Sequence, residues 1–406
     1  MRCDIAILGG GIVGLATAWR ITQRYPDLTV FVFEKENRVA AHQTGHNSGV
    51  LHSGIYYRPG TLRATNCRTG KVEMEQFCER EGIAYEMCGK VIVAVDTTEL
   101  EQLHNILGRG RQNGVKCELI DQDRLRELEP HAAGVAAIYV PEAGIVDYPA
   151  VCKRLAERFQ EGPGRLFLNA GITAIEQRSN SVLLQTAIGT CEAKYLITCG
   201  GLQADRVIAM SGQQPEAPIV PFRGEFFELK PEAQHLCRTL IYPVPDPRFP
   251  FLGVHFTKTV HGGVECGPNA VFAFAREGYH KTDINVRDVL AAVSYSGFRQ
   301  IALKHWRTGI GEMWRSFNKG AFVTALQRLI PEIRSEHLVP GPSGVRAQAL
   351  GRDGKLIDEF LFQETERMIH VGNAPSPAAT AALNIGKLIA DRLATRLGPA
   401  SQPHLE

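Results

Sequence analysis

The 406-residue chain lacks a charge excess: 45 Lys and Arg stand against 43 Asp and Glu, a formal net charge of +2. That balance argues against a general nucleic-acid binder, which needs a strongly basic surface. No stretch of 18 uncharged apolar residues occurs, so no spanning helix is expected. The ten cysteines include no C-x-x-C pair, and a chain of this length needs no disulfide staples. Reduced, mostly buried thiols in a cytoplasmic compartment are the expectation. Four glycines interrupt the apolar opening from Ile5 to Trp19, and no A-x-A-like site follows before Arg20, so a signal peptide is not expected. Low-complexity segments and solenoid-type repeats are missing as well.

What is present is organised from the first residues. A chain this long can fill a large core, and two domains are expected. Ile5-Ala6-Ile7-Leu8 is a short apolar run of the kind that forms a strand buried on both faces. Glycines follow at once. A helix is predicted from Ile12 to Gln23, Pro26-Asp27 ends it, and Thr29 to Phe33 reads as a second strand. Pieces of this β-α-β pattern return. Lys194 to Cys199 reads as a buried strand running into Gly200-Gly201 and a helical stretch; residues 367–398 read as strand, Pro/Gly loop and long helix. These pieces predict one discontinuous domain of residues 1–85, 146–219 and 341–406. Residues 86–145 and 220–340 are β-rich and turn-spaced, and predict a second domain with a mixed sheet. The expected class is α/β: a Rossmann-like nucleotide domain joined to a mixed-sheet substrate domain.

Gly9-x-Gly11-x-x-Gly14 lies between the first strand and the helix. Such glycines permit a tight turn, close approach of backbone to a pyrophosphate, and close helix–sheet packing. The helix start offers free N–H groups and a positive dipole end to the phosphates. Glu34 ends the second strand, where a carboxylate can accept from ribose hydroxyls, and Lys35 adjoins it. One such fingerprint at the N-terminus, its domain completed by the C-terminal segment, is the habit of FAD enzymes of the glutathione reductase and D-amino acid oxidase type. One FAD, held non-covalently, is expected.

Six stretches carry a resemblance: "HQTGHNSGVLHSGIYY" (42–57), "VPFRGE" (220–225), "YPVPDPRFPFLGVH" (242–255), "GPNAV" (267–271), "GVRAQAL" (344–350) and "NAPSPAAT" (373–380). Together they resemble the L-2-hydroxyglutarate dehydrogenase/oxidase family of D-amino acid oxidase-like flavoproteins, from Asp4 to about Leu393. The resemblance implies an FAD enzyme that oxidises L-2-hydroxyglutarate to 2-oxoglutarate.

That chemistry has four needs. C2 must give up a hydride to flavin N5. A base must take the hydroxyl proton, a cation must hold the C1 carboxylate, and the distal carboxylate of a five-carbon diacid needs its own partner. Histidine suits a base at neutral pH. In this fold class the loop after Glu34 is expected to return over the flavin ring, carrying His42, His46 and His52. His52 also resembles a histidine in a similar loop of flavin glycerol-3-phosphate dehydrogenases and is the preferred base, with His255 as rival. Thr44, Gly45, His46, Asn47, Ser48 and Gly49 are expected to offer donors to the cofactor, and Gly200 to approach it. Arg346 is expected on C1, because a guanidinium holds a carboxylate by two parallel hydrogen bonds. Its "GVRA" setting also resembles the turn whose arginine grips the substrate in amino-acid-oxidising flavoenzymes. Tyr57, Arg58, Arg223 and Arg276 are candidates for the distal carboxylate. Pro375, Ser376, Ala378, Ala379 and Thr380 precede the last helix, whose start is expected to face the flavin N1–C2=O region. No metal is expected. His42 and His46 have i,i+4 spacing, but Gly45 and Gly49 disfavour a helix, and no nearby Cys, Asp or Glu completes a ligand set.

Residues 299–334 hold seven Lys and Arg against two acids, among Trp306, Met313, Trp314, Phe317 and Phe322. Two readings are open: helices packed on the second domain, or peripheral contact with the inner face of the cytoplasmic membrane. Electrons must leave the flavin, to a membrane quinone or to oxygen. Two rival functions stand beside the main one. Oxidation of a glycine- or sarcosine-like amine needs a single carboxylate clamp, and a non-catalytic flavoprotein would act through a partner.

Overall fold

The computed structural model describes residues 1–246 and 252–397; residues 247–251, inside "YPVPDPRFPFLGVH", and 398–406 lie outside the described residues. β1 (Arg2–Leu8), α1 (Ile12–Arg24) and β2 (Val30–Phe33) form where the apolar runs place them. β1 is buried on both faces because it is central. It pairs in parallel with β2, from Ile5↔Val30 to Leu8↔Phe33, and with Gly189–Thr198 through Ile5↔Tyr195. The parallel run continues to Arg165–Phe167 beside β2 and to Met368–Asn373 beyond Gly189–Thr198. Leu361–Glu364 returns antiparallel at that edge, and the first half of Gly189–Thr198 carries an antiparallel meander with Val182–Thr186 and Ile172–Gln177.

α1 and the last helix, Ala382–Leu397, cross on one face of this sheet. A Cβ at Gly386 would stand 2.7 Å from the Ala16 carbonyl carbon, so the crossing requires glycine. Ile5, Ile7, Leu15, Ile21, Ile369 and Leu383 fill the space between sheet and helices. Burying each such side chain contributes about 1.5–3 kcal/mol, and the sum welds the two distant chain segments together.

Among the described residues the second sheet has nine strands. Ile219–Leu229 and Leu338–Ala349 pair antiparallel, from Ile219↔Ala349 to Leu229↔Leu338. Leu338–Ala349 thus runs across residue 341 while keeping to one sheet. Lys90–Ala94 lies between Leu240–Pro243, which is parallel to it, and Ala136–Val140, which is antiparallel. A small third sheet joins β3 (Val50–Leu51) to Gly144–Val146 and Tyr85–Glu86, and so anchors the loop after β2.

Four successive helices lie between residues 286 and 327: Val286–Ser294, Ser296–Lys304, Trp306–Phe317 and Lys319–Gln327. The last buries Phe322, Val323 and Leu326 in the core that includes Val91 and Val93 of the second sheet. The three before it leave Leu290, Leu303, Trp306, Ile310, Trp314 and Phe317 between 55% and 75% exposed. The stretch 299–334 therefore splits: its second part is core, whereas the exposed apolar face begins earlier, at Ile284. Among the described residues no helix is long and apolar enough to cross a membrane.

Candidate active site

A cavity of about 1030 Å³ is lined by the glycine turn, by much of the loop from His42 to Tyr57, by Gly344 to Gln348 and by residues 373–380. In the turn, Gly9 has φ +110°, and a Cβ on it would stand 2.4 Å from the Cys199 carbonyl oxygen. A Cβ on Gly14 would stand 2.0 Å from the Gly9 oxygen. Strand end, turn and helix are pressed together, which leaves backbone, rather than side chains, facing the cavity at Gly9 and Gly11. Glu34 also faces it. Its Oε2 accepts from Gly10 N–H at 2.6 Å and its Oε1 from Glu36 N–H at 2.9 Å. A carboxylate has lone pairs beyond these two, so this cradle fits a dinucleotide pyrophosphate and ribose.

The loop after β2 is built to stay in place. Thr44 Oγ1 accepts from Ile12 N–H at 3.1 Å, capping α1 from outside the helix. Thr44 also reaches the cavity wall, and its hydroxyl keeps a hydrogen to donate. Asn47 reaches the wall as well, but with its side-chain donors already used. Its amide donates to the Gln43 and Thr44 carbonyls at 3.0 and 2.7 Å, and its oxygen accepts from Gly49 N–H at 2.9 Å. Its side chain is spent on the loop. Gly45 and Gly49 shape the loop without reaching the cavity wall, whereas His46, Ser48 and Gly200 reach it. His46 stacks on Tyr279 at 4.0 Å and donates through Nδ1 to the Ser343 carbonyl at 2.9 Å. Acids do meet His42, contrary to the expectation: Glu36 from its own loop and Glu277 from far along the chain converge on it. The Lys35 ammonium stands among them, 3.0 Å from His42 Nε2 and 2.9 Å from Glu277, and bonded to Glu36.

His52, His255 and Arg346 all reach the cavity wall. His52 is tethered through its backbone: its N–H donates to the Thr380 hydroxyl at 3.1 Å, which meets Tyr148 Oη at 2.8 Å. Burial, and then the charges of Lys90 and Arg63, hold its imidazole well below the usual histidine pKa. It is neutral at pH 7 and has a lone pair for a proton. His255 donates through Nδ1 to the Gly253 carbonyl at 2.8 Å, which leaves Nε2 as its acceptor. Burial lowers its pKa to about 3. Arg346 is drawn down to about 10 by burial, against the pull of Glu312, and stays charged at pH 7. It pairs across the strands with Phe222, beside Gly224, where a Cβ would stand 3.2 Å from both guanidinium Nη atoms.

Other expected residues fall elsewhere. The last helix starts only at Ala382. Pro375, Ser376, Ala378, Ala379 and Thr380 form turns on the cavity wall, and Ala378 N–H donates to the Pro375 carbonyl at 3.0 Å. A turn, not the helix start, faces the cavity. Arg223 is held by Glu225 at 2.9 Å and the His280 carbonyl at 3.1 Å. Arg276 bonds Asp205, at 2.7 Å through Nη2, and the Leu202 carbonyl at 2.9 Å. Both are buried in structural pairs off the cavity wall, and Arg58 is exposed away from it. Tyr57 is on the wall, under the Arg63 guanidinium at 4.5 Å. The sequence reading missed Tyr56, Arg63 and Tyr242 on the wall, and Lys90 behind it. The one local signal was Lys90, a lysine heading the otherwise apolar strand KVIVA.

The sequence pattern of the family described as FAD dependent oxidoreductase matches residues 4–392, and the chain belongs to that family. Solved structures share the fold. L-alpha-glycerophosphate oxidase from Mycoplasma pneumoniae, with FAD bound, gives a TM-score of 0.81 at 20% identity, covering 100% of this chain and 97% of that one. Glycine oxidase from Geobacillus kaustophilus gives 0.73 at 19% identity, covering 99% and 97%. Much more similar in sequence are proteins named L-2-hydroxyglutarate dehydrogenase. That of Indibacter alkaliphilus is 49% identical over 393 residues, 96% of this chain and 98% of its own. That of Escherichia coli K12 is 45% identical over 401 residues, 98% and 95%, and the human mitochondrial one 44% over 411 residues, 97% and 89%.

Proposed function

We propose that the chain oxidises L-2-hydroxyglutarate to 2-oxoglutarate. The observation that carries this reading is the convergence of His52, His255 and Arg346 on a cavity that also contains the glycine cradle, in a chain whose near full-length relatives bear that activity in their names. Bound FAD supplies the acceptor for the electron pair of the substrate's C2–H bond. Gly9, Gly11 and Gly14 would hold its pyrophosphate and Glu34 its ribose. Arg346 grips the C1 carboxylate by two parallel hydrogen bonds. His52, neutral and tethered to Thr380, takes the hydroxyl proton. His255 Nε2 is the second candidate base. An anionic substrate raises the proton affinity of both imidazoles, because its charge opposes the effect of burial.

The two large sheets support a division into a nucleotide domain (1–85, 146–219 and 341–406) and a substrate domain (86–145 and 220–340), except that Leu338–Ala349, which spans the boundary at 341, lies wholly in the second sheet. For the onward acceptor we favour a membrane quinone. The exposed apolar face from Ile284 to Phe317 is interspersed with exposed Arg287, Arg299, Lys304 and Arg307, which suits the surface of an anionic bilayer. Oxygen is the competing acceptor. The substrate reading is tested by anaerobic bleaching of the yellow protein with a panel of acids and amines. Bleaching by L-2-hydroxyglutarate and not by glycine or sarcosine is expected; bleaching by the amines alone would replace it with the amine-oxidising reading.

A further inference from the structure

One buried cation beside this cavity, Lys90, has no anion paired with it among the described residues. Lys90 opens the strand Lys90–Ala94, in register with Leu240 on one side and Val140 on the other. Alternation puts it on the face of Ile92 and Ala94, toward the cluster that holds Tyr242 and Tyr56. It is 1% exposed. Its Nζ lies 3.9 Å from the centre of the Tyr242 ring and 5.7 Å from that of Tyr56. Among the described residues no carboxylate pairs with it and nothing accepts a hydrogen bond from it. The Tyr56 hydroxyl is likewise buried without a partner among them. Both tyrosines line the cavity with His52, His255 and Arg346, so Lys90 stands one layer behind that wall. Its charge reaches both histidines, and burial draws its own pKa down to about 7.

A buried ammonium set against an aromatic face, with no carboxylate paired to it among the described residues, is costly, and the cost is recovered when an anion arrives. A five-carbon diacid brings two carboxylates, and Arg346 accounts for one. Of the other cations nearby, Arg109 lines the cavity from an exposed position, and the rest are engaged. Arg223 and Arg276 are in ion pairs, Lys35 sits among carboxylates, and Arg63 donates to the Ser376 carbonyl at 2.6 Å and pairs with Asp358 at 3.5 Å.

We propose that Lys90, together with the Tyr56 hydroxyl, pairs with the distal carboxylate of the substrate and sets the preference for a dicarboxylic 2-hydroxy acid over a monocarboxylic one of the same length. The flexible lysine stem lets the ammonium follow the carboxylate, where the rigid fork of an arginine would not. The proposal rests on the reading of the preceding subsection.

The test compares FAD-loaded wild type with Lys90→Met and Tyr56→Phe. Calorimetry measures equilibrium binding of 2-oxoglutarate and of 2-oxopentanoate, which lacks the distal carboxylate. Lys90→Met should weaken 2-oxoglutarate by about 10- to 100-fold, the loss of a charge-assisted pair, and leave 2-oxopentanoate nearly unchanged. Tyr56→Phe should show the same selectivity with a smaller loss. It removes one oxygen, so it keeps the test open should Lys90→Met fail to hold FAD. Equal weakening of both ligands in Tyr56→Phe and in any Lys90→Met protein that holds FAD, or no weakening of either, overturns the proposal. Wild type that binds 2-oxoglutarate no more tightly than 2-oxopentanoate overturns the functional reading as well.

Discussion

Replacing Arg346 with lysine asks how the substrate's C1 carboxylate is held. Lysine keeps the charge but cannot present two parallel donors. Arg346 is enclosed, with Gly224 against its guanidinium, so little water can stand in for the lost donor. A hydrogen bond to a charged group contributes about 1.5–3 kcal/mol, and each 1.4 kcal/mol is about tenfold in affinity. The substrate dissociation constant should therefore rise about 10- to 100-fold. Gly224→Ala is the companion change. Its new Cβ would meet Pro268 Cβ at 2.8 Å and both Nη atoms at 3.2 Å, so the guanidinium must shift by a few tenths of an ångström. A smaller rise in the same direction is expected. The assay is anaerobic rapid mixing, with the bleaching rate followed against L-2-hydroxyglutarate concentration to separate dissociation constant from limiting rate. An unchanged dissociation constant in an Arg346→Lys protein that retains FAD would refute the assignment.

His52→Gln should keep its FAD and lose about 10²- to 10⁴-fold in limiting reduction rate, the usual share of a general base; a rate within threefold of wild type would shift that role to His255. His255 stays unprotonated in the folded chain down to about pH 3, whereas an unfolded histidine takes its proton near 6.5. Between those values unfolding takes up a proton, so this contribution to stability is fully present above about pH 6.5 and is lost as the pH falls toward 3. The melting temperature of the apoprotein should fall more steeply across pH 6.5 to 4 than that of His255→Gln, and parallel curves would contradict the assignment. Wild type should float with phosphatidylglycerol vesicles and release in high salt, while Trp306→Glu/Trp314→Glu stays unbound with normal anaerobic bleaching. Equal flotation of both proteins would remove the exposed apolar face from membrane binding, and flotation of neither would favour oxygen as acceptor.

The nucleotide cradle is legible in the sequence because its signals are local. Strand, glycines, helix and Glu34 lie within the first 34 residues, and each constrains the next. The substrate end is not local. His52 is held by Thr380, 328 residues away, and Arg276 is neutralised by Asp205, 71 residues away. An arginine in a turn-rich stretch therefore looks available until the fold supplies its partner. The reverse holds for Lys90, which resembles an accident in an apolar strand until Tyr242 and Tyr56 close around it. The stretch from Pro375 to Thr380 precedes the last helix as expected, but the turn rather than the helix start faces the cavity, where the tie from Thr380 to His52 and Tyr148 holds it.

The most direct test of the central claim is anaerobic titration of the purified yellow protein with L- and D-2-hydroxyglutarate. One equivalent of the L form should bleach the flavin completely and yield one equivalent of 2-oxoglutarate, while the D form leaves the spectrum unchanged. Bleaching by both forms at similar rates, or by neither, would contradict the account.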